Sequence, residues 1–347
     1  MTVSMWINGM RPRTLPASIA PVLVGAAAAW NHIADRHWSS CARSSGTDAD
    51  GCATAFDAVG ITEAWFWLAF AMCLVVALAL QVAVNFANDY SDGIRGTDAG
   101  RGAAVAGDRH SKSGDAAGTG PVRLVASGVN PKHVLAAAGI AAAVACAAGL
   151  VVIIGGQRWW LLAVGVASLL AGWFYTGGKH PYGYAGYGEI FVFVFFGLVA
   201  TVGTCYAITG SFMADYLWAG AIAAGLNAVV LLMVNNIRDI PSDRQSGKRT
   251  YAACVGLGKA TMSLYGVLAL SVLLGVMNFW TIPMLWNGEA VSGAVMVLPL
   301  MYAVYVGMCV RAYEYRQALN SAGLYTLLSA LCWAVVFVGH AQYFAVL

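Results

Sequence analysis

Charge is what this sequence has least of. Asp, Glu, Lys and Arg make up 10% of its 347 residues, against about 25% in an ordinary soluble domain. With 60% of the chain apolar, a globular enzyme with a fully hydrated surface is excluded. No two of the eight cysteines are spaced C-x-x-C, which removes zinc-ribbon and dithiol redox sites. Cys73, Cys146, Cys205, Cys254, Cys309 and Cys332 lie in or beside apolar runs and read as small packing residues. The start does not read as a cleavable leader either: "MTVSMWINGMRPRTLPASIAPVLVGAAAAW" leads through arginines and prolines into a full-length span, expected to be retained.

What is present is a series of apolar runs, each near the 20 or so residues that a helix needs to cross a bilayer. They predict nine spans, at about 14–30, 63–88, 133–154, 159–176, 188–209, 216–236, 259–281, 292–311 and 321–346. Their Gly, Ala and Ser content suits close helix packing in lipid. The expected fold class is all-α, one polytopic domain over residues 1–347. With nine spans, sixteen of the nineteen Lys and Arg residues fall on the side of the N-terminus; only Arg36, Arg43 and Arg158 fall on the other. The positive-inside rule then places the N-terminus and the even-numbered loops in the cytoplasm, and the C-terminus outside the cell membrane.

Two loops are long. Residues 31–60 read as a polar external excursion holding His32, Cys41 and Cys52; on that side a Cys41–Cys52 disulfide would persist, and bridged and free thiols both stay open. Residues 99–120, with His110, have the Gly, Ala and Ser content of a flexible linker. Neither histidine has partners at ligand spacing.

An internal repeat carries the chemistry. "NFANDYSDGIRGTD" ends the second span and "NNIRDIPSDRQSGK" ends the sixth, on the same side of the membrane. On a helix, Asn85, Asp89 and Asp92 share a face, as do Asn235, Asp239 and Asp243, because residues three and four apart are neighbours; Asp98 follows in a glycine-containing turn. Carboxylates at the edge of lipid are costly and are usually paired or functional. Facing one another they require a cation, and oxygen donors of this kind suit Mg²⁺ that keeps waters and phosphate oxygens. Arg95, Arg101 and Arg123 flank the first cluster; Arg238, Arg244, Lys248 and Arg249 flank the second. Acids for a metal beside bases for an anion point to a Mg²⁺-bound diphosphate. Between them, "WFYTGGKHPYGY" sets Tyr175 and Lys179 four apart, within reach of the same phosphate. Each piece alone also reads as a solvated helix end or a positive-inside anchor. A divalent-cation transporter is the alternative from another class, although the basic cluster and the lack of an acidic trail across the membrane argue against it.

At these motifs the chain resembles the UbiA superfamily of intramembrane aromatic prenyltransferases. Through "RPRTLPASIAPVLVG", "GPVRLVASG" and "PYGYAGYGEIFVFVFFGLVATVGT" it is most similar to the branch that prenylates 1,4-dihydroxy-2-naphthoate in menaquinone synthesis. The resemblance runs from about residue 6 to residue 260. It implies Mg²⁺ as cofactor, held with the diphosphate by Asn88, Asp89, Asp92, Asp98, Asp239 and Asp243, with Asp89, Asp92, Asp239 and Asp243 as the catalytic carboxylates. Asn85 and Asn235 match supporting polar positions; Arg123, Tyr175, Lys179 and Lys248 match positions near the diphosphate. The implied partners are a polyprenyl diphosphate, an aromatic acceptor and the bilayer, with no nucleic acid. The implied reaction gives demethylmenaquinone with loss of CO₂; another aromatic acceptor is the alternative within the same chemistry. The insertion of residues 99–120 before "GPVRLV" and the missing Pro before Lys179 depart from the family pattern. "FVFVFFG" is expected either to line a prenyl groove or to face lipid, and Glu189 either to orient the acceptor or simply to favour a helix N-terminus.

Overall fold

The computed structural model describes residues 2–43, 56–96, 123–280 and 291–343. Asp98, Arg101, His110, Cys52 and all of the 99–120 insertion lie outside these residues, as does the side chain of Cys41. Every regular element among the described residues is helical. We number them α1 (Val3–Gly9), α2 (Pro16–Arg43), α3 (Glu63–Ile94), α4 (Pro131–Gly156), α5 (Trp160–Thr176), α6 (Gly188–Thr209), α7 (Leu217–Gln245), α8 (Tyr251–Val255), α9 (Leu257–Trp280), α10 (Val291–Arg311) and α11 (Tyr315–Tyr343).

Seven of the described helices are long and apolar enough to cross a membrane; α5 and the Val297–Arg311 part of α10 are apolar but shorter. The chain is a multi-pass membrane protein. Three boundaries differ from expectation in ways that matter. α2 continues to Arg43, so His32 and Asn31 are buried helical residues, and Asn31 Nδ2 donates to the Phe337 carbonyl at 3.1 Å. The motif helices also run on: α3 to Ile94 and α7 to Gln245, through Pro241, so that both acidic clusters sit on continuous helix.

Local sequence sets the ends. Thr62 Oγ1 accepts from Trp65 N at 3.0 Å and starts α3; Asn130 Oδ1 accepts from Lys132 N at 2.9 Å ahead of Pro131 and starts α4. Gly210, with φ +74°, ends α6.

α2 and α7 are mostly buried at the centre, while less than a third of the apolar span is buried in α3, α4 and α9. α3 packs along α4, α2 along α11, and α7 against both α6 and α9. Glycine permits the closest approach: a Cβ on Gly197 would lie 2.4 Å from Gly225 Cα, so α6 and α7 meet backbone to backbone. A buried chain of hydrogen bonds pins three helices together in the apolar interior. Tyr325 donates to Ser271 at 2.9 Å, Ser271 to Asn227 at 2.6 Å, and Asn227 to Ser329 at 2.9 Å.

Candidate active site

α3, α4, α5, α6 and α7 enclose a cavity of about 1310 Å³, roofed at one end by the N-terminal segment and the stretches after α5 and α7. It exceeds the roughly 300–1,000 Å³ of an ordinary small-molecule pocket. Along α3 it extends from Cys73 to Asp92, about 28 Å at 1.5 Å per residue, close to the thickness of a bilayer's hydrocarbon core. One end is polar; the rest is apolar.

The polar end brings the two halves of the repeat together. On α3 the residues facing the cavity are Gln81, Asn85, Asn88 and Asp92, and on α7 they include Asn235, Asp239 and Asp243. Lys248 Nζ lies 2.9 Å from Asp92 Oδ1, and an Arg123 guanidinium nitrogen 3.6 Å from Asp92 Oδ2. All three side chains are nearly buried, so this charge cluster is little screened. Arg238 forms a two-pronged ion pair with Asp239, at 2.8 and 3.0 Å. Asp243 accepts from the Thr250 hydroxyl at 3.0 Å, and Thr250 also caps α8 through Ala253 N.

The N-terminal "RPRT" segment, read from sequence only as part of the charge bias, supplies Arg11 and Arg13 to the cavity wall. Arg11 has φ +55°, an uncommon conformation for a residue with a Cβ. Asn85 holds this segment in place by donating to the Met10 carbonyl at 2.8 Å. Asn235 donates to Leu231 O of its own helix at 3.1 Å. Its neighbour Asn236, absent from the sequence expectation, lines the cavity and donates to Glu189 Oε1 at 2.9 Å.

Tyr184 is the other residue that the sequence did not single out. Its hydroxyl donates to Asp92, and its ring lies under both Lys248 Nζ, at 4.8 Å, and the Arg95 guanidinium, at 5.5 Å. Burial and the nearby Asp92 push its phenol above the ordinary tyrosine range, so it remains a donor at neutral pH. Arg95 does not line the cavity; it donates to the carbonyls of Thr176 and Gly178 and ties the end of α5 to α3.

The Tyr175–Lys179 pair does not form. α5 ends at Thr176, Gly177 is extended and Gly178 has φ +75°, so the helical four-residue spacing is lost. Tyr175 lines the cavity while Lys179 is exposed outside it. Asp89 is also turned away, its carboxylate taken up by the backbone N–H groups of Leu124, at 2.8 Å, and Val125, at 3.2 Å.

Beyond the polar end the walls are mostly apolar, and the hydroxyls of Ser168 and Thr204 there donate back to the carbonyls of Val164 and Ala200 in their own helices. π-helical turns at Phe193–Val199 bring residues four and five apart onto one face, so Phe191, Phe195, Phe196 and Val199 line the cavity. Phe193 packs instead against Gly225. Opposite them run small residues of α4 and α5, among them Gly139, Cys146, Gly165 and Gly172. An ion path would need polar groups along this length.

Among the described residues, no three His, Cys, Asp or Glu side chains converge tightly enough to hold a metal by themselves. Carboxylate and amide oxygens at one end of the cavity nevertheless fit Mg²⁺, which binds through one or two carboxylates, waters and substrate phosphate oxygens rather than in an all-protein cage.

The model of the UbiA prenyltransferase family matches residues 52–328. The chain belongs to the UbiA prenyltransferase family. Over 339 residues, covering 97% of this chain and 96% of its relative, it is 38% identical to a protein of Mycobacterium tuberculosis named 1,4-dihydroxy-2-naphthoate octaprenyltransferase. A protein of the same name from Escherichia coli is 31% identical over 81% of this chain and 79% of its own. Among solved structures, a UbiA homolog from Archaeoglobus fulgidus bound to GPP and Mg²⁺ superposes with a TM-score of 0.55 at 14% identity, over 96% of this chain and 99% of that one. The apo UbiA homolog from Aeropyrum pernix superposes with a TM-score of 0.57 at 16% identity, over 92% and 96%. This UbiA protein therefore has the family's all-helical membrane fold.

Proposed function

We propose that this protein transfers a polyprenyl group from its diphosphate to 1,4-dihydroxy-2-naphthoate, with release of diphosphate and CO₂. The observation that carries the reading is the cavity itself. Acids and cations converge at one end of a cavity that is, from end to end, about as long as the hydrocarbon core is thick, and its walls beyond them are mostly apolar. A lipid diphosphate has this division of character. The naphthoate acceptor is supported by the name of relatives matching almost the whole chain.

Asn88, Asp92, Asp239 and Asp243 are the groups best placed to hold Mg²⁺, with Asp98 as a further candidate beyond the described residues. Bound there, Mg²⁺ would supply Lewis-acid stabilisation of the leaving diphosphate. Lys248, Arg123, Arg11 and Arg13 face the same end and offset the charge that builds on the leaving group as the allylic C–O bond breaks. Fixed charge in a site shielded from water is usually the largest catalytic contribution. The departing diphosphate takes both bonding electrons. Phe191, Phe195 and Phe196 line the channel, where a ring face turned to an allylic cation would stabilise it and the apolar wall keeps water away. The ring carbon of the acceptor that bears the carboxylate supplies the electron pair for the new C–C bond. Loss of CO₂ then returns a pair to the ring. The product is demethylmenaquinol, which air oxidises to demethylmenaquinone. Asn236 and Tyr175 are the neutral polar groups of the wall nearest Glu189 and suit an aromatic acceptor's hydroxyls.

The whole chain is proposed to act as one domain in the cell membrane, with the polar end of the cavity facing the cytoplasm. The sixteen-to-three division of Lys and Arg supports that orientation. Exposed Cys254, beside that end, should react with a membrane-impermeant maleimide in inverted vesicles and not in right-side-out ones.

The test of function is purified protein in nanodiscs with Mg²⁺, a polyprenyl diphosphate and 1,4-dihydroxy-2-naphthoate, followed by mass for prenylated naphthoquinone and CO₂. Product that disappears in Asp92→Asn and Asp239→Asn supports the reading. Prenylation of a different phenol in its place replaces the acceptor, and no diphosphate release with any acceptor overturns the chemistry.

A further inference from the structure

Asp89 sits beside the proposed Mg²⁺-binding groups in sequence, yet its side chain is used elsewhere. It is 1% exposed and is not among the residues lining the cavity, whereas Asn88 and Asp92 are. One carboxylate oxygen accepts from Leu124 N at 2.8 Å and the other from Val125 N at 3.2 Å. Both lone-pair faces directed at the 123–129 turn are thus engaged by backbone donors, and two charge-assisted hydrogen bonds of this kind are strong ones.

That turn is docked on α3 in other ways as well. It closes on itself through Ser127 N to Arg123 O at 2.9 Å and Val129 N to Leu124 O at 2.9 Å. The Leu124 side chain is fully buried in a cluster with Phe86, Val129 and Val134. Gly93, one helical turn beyond Asp89, leaves room for Val125: a Cβ there would lie 2.3 Å from Val125 Cγ1. The first residue of the turn is Arg123, whose guanidinium reaches the cavity and lies 3.6 Å from Asp92 Oδ2.

We propose that Asp89 is a positioning residue for Arg123, clamping the 123–129 turn to α3 so that the guanidinium is held at the diphosphate end of the cavity, and that it is not a metal ligand. The inference rests on the reading of that end as a Mg²⁺–diphosphate site.

The experiment compares Asp89→Asn, Asp92→Asn, Arg123→Gln and the double variant Asp89→Asn/Arg123→Gln in nanodiscs. Three quantities are read: KM for the prenyl diphosphate, Mn²⁺ affinity by electron paramagnetic resonance at saturating geranyl thiolodiphosphate, an unreactive analogue, and amide hydrogen exchange in the 123–129 turn. Asp89→Asn should raise KM by roughly tenfold or more, the scale expected when a group is displaced by about 1 Å, and leave Mn²⁺ affinity within about twofold. In the Arg123→Gln background it should add little, since residues acting through one another are not additive. Hydrogen exchange at the Leu124 and Val125 amides should speed up. Gly93→Ala, which keeps Asp89 and pushes Val125 outward, should reproduce the KM effect, and it stands as the test if Asp89→Asn fails to fold. Mn²⁺ affinity falling in Asp89→Asn as far as in Asp92→Asn, multiplicative effects of Asp89→Asn and Arg123→Gln, or an unchanged KM in Gly93→Ala would each overturn the proposal. Asp92→Asn leaving Mn²⁺ affinity unchanged would overturn the metal–diphosphate reading beneath it.

Discussion

The ammonium of Lys248 lies 2.9 Å from the carboxylate of Asp92, across 156 residues of chain. The contact joins the end of α3 to the stretch that follows α7, and so ties the two halves of the repeat at the polar end of the cavity. Tyr184 donates to the same carboxylate while its ring supports the same ammonium. A single cluster thereby fixes the placement of an acid and a base that belong to different motifs.

Removing that base should show in binding before it shows in folding. Lys248→Met should raise KM for the prenyl diphosphate at least about tenfold, since a hydrogen bond to a charged group is worth about 1.5–3 kcal/mol. Steady-state kinetics over a range of diphosphate concentrations checks this.

Lys179 offers the contrasting case. It is exposed and outside the cavity, so Lys179→Ala should keep kcat/KM within about twofold, the small effect usual for surface sites. A loss as large as that of Lys248→Met would show that the stretch after α5 rearranges around substrate.

Carboxylates at the cavity should control the response to metal. Asp239→Asn and Asp243→Asn should lower kcat by roughly 10²–10³-fold, the scale for losing one fixed electrostatic contact to a leaving group. They should also raise the Mg²⁺ concentration needed for half-maximal rate, measured by titrating Mg²⁺ at saturating donor.

The apolar channel should set the length of the donor. Gly165 lines it, and a Cβ there would meet nothing within 4 Å, so Gly165→Phe has space to fit and should fill the channel instead of distorting α5. The ratio of kcat/KM for a long prenyl donor to that for a short one should fall about tenfold or more, since each methylene excluded from an apolar pocket is worth about 1–3 kcal/mol. Competition between two donors of different length measures it.

Much of this was legible in the sequence. Apolar run length and scarcity of charge determined a helical membrane protein, because a backbone in lipid has to satisfy its own hydrogen bonds. Asn235, Asp239 and Asp243 at intervals of four determined one face of α7, and that face lines the cavity. The spacing rule was coarser on α3. Gln81, Asn85, Asn88 and Asp92 follow the cavity face, whereas Asp89, about 100° around the helix from Asn88, meets the 123–129 turn.

Only the tertiary structure decided which charged groups share a site. Arg11 and Arg13 reach the cavity because α1 and Asn85 fold the N-terminal segment under α3. Tyr184 reaches Asp92, and Lys179 does not reach the cavity, because Gly177 and Gly178 end α5 and redirect the chain. Sequence determined what each helix had to bury, since hydrophobicity and helical period are local properties. Partnership between side chains far apart in the chain depends on how the helices pack and where their connections turn, and those are properties of the assembled bundle.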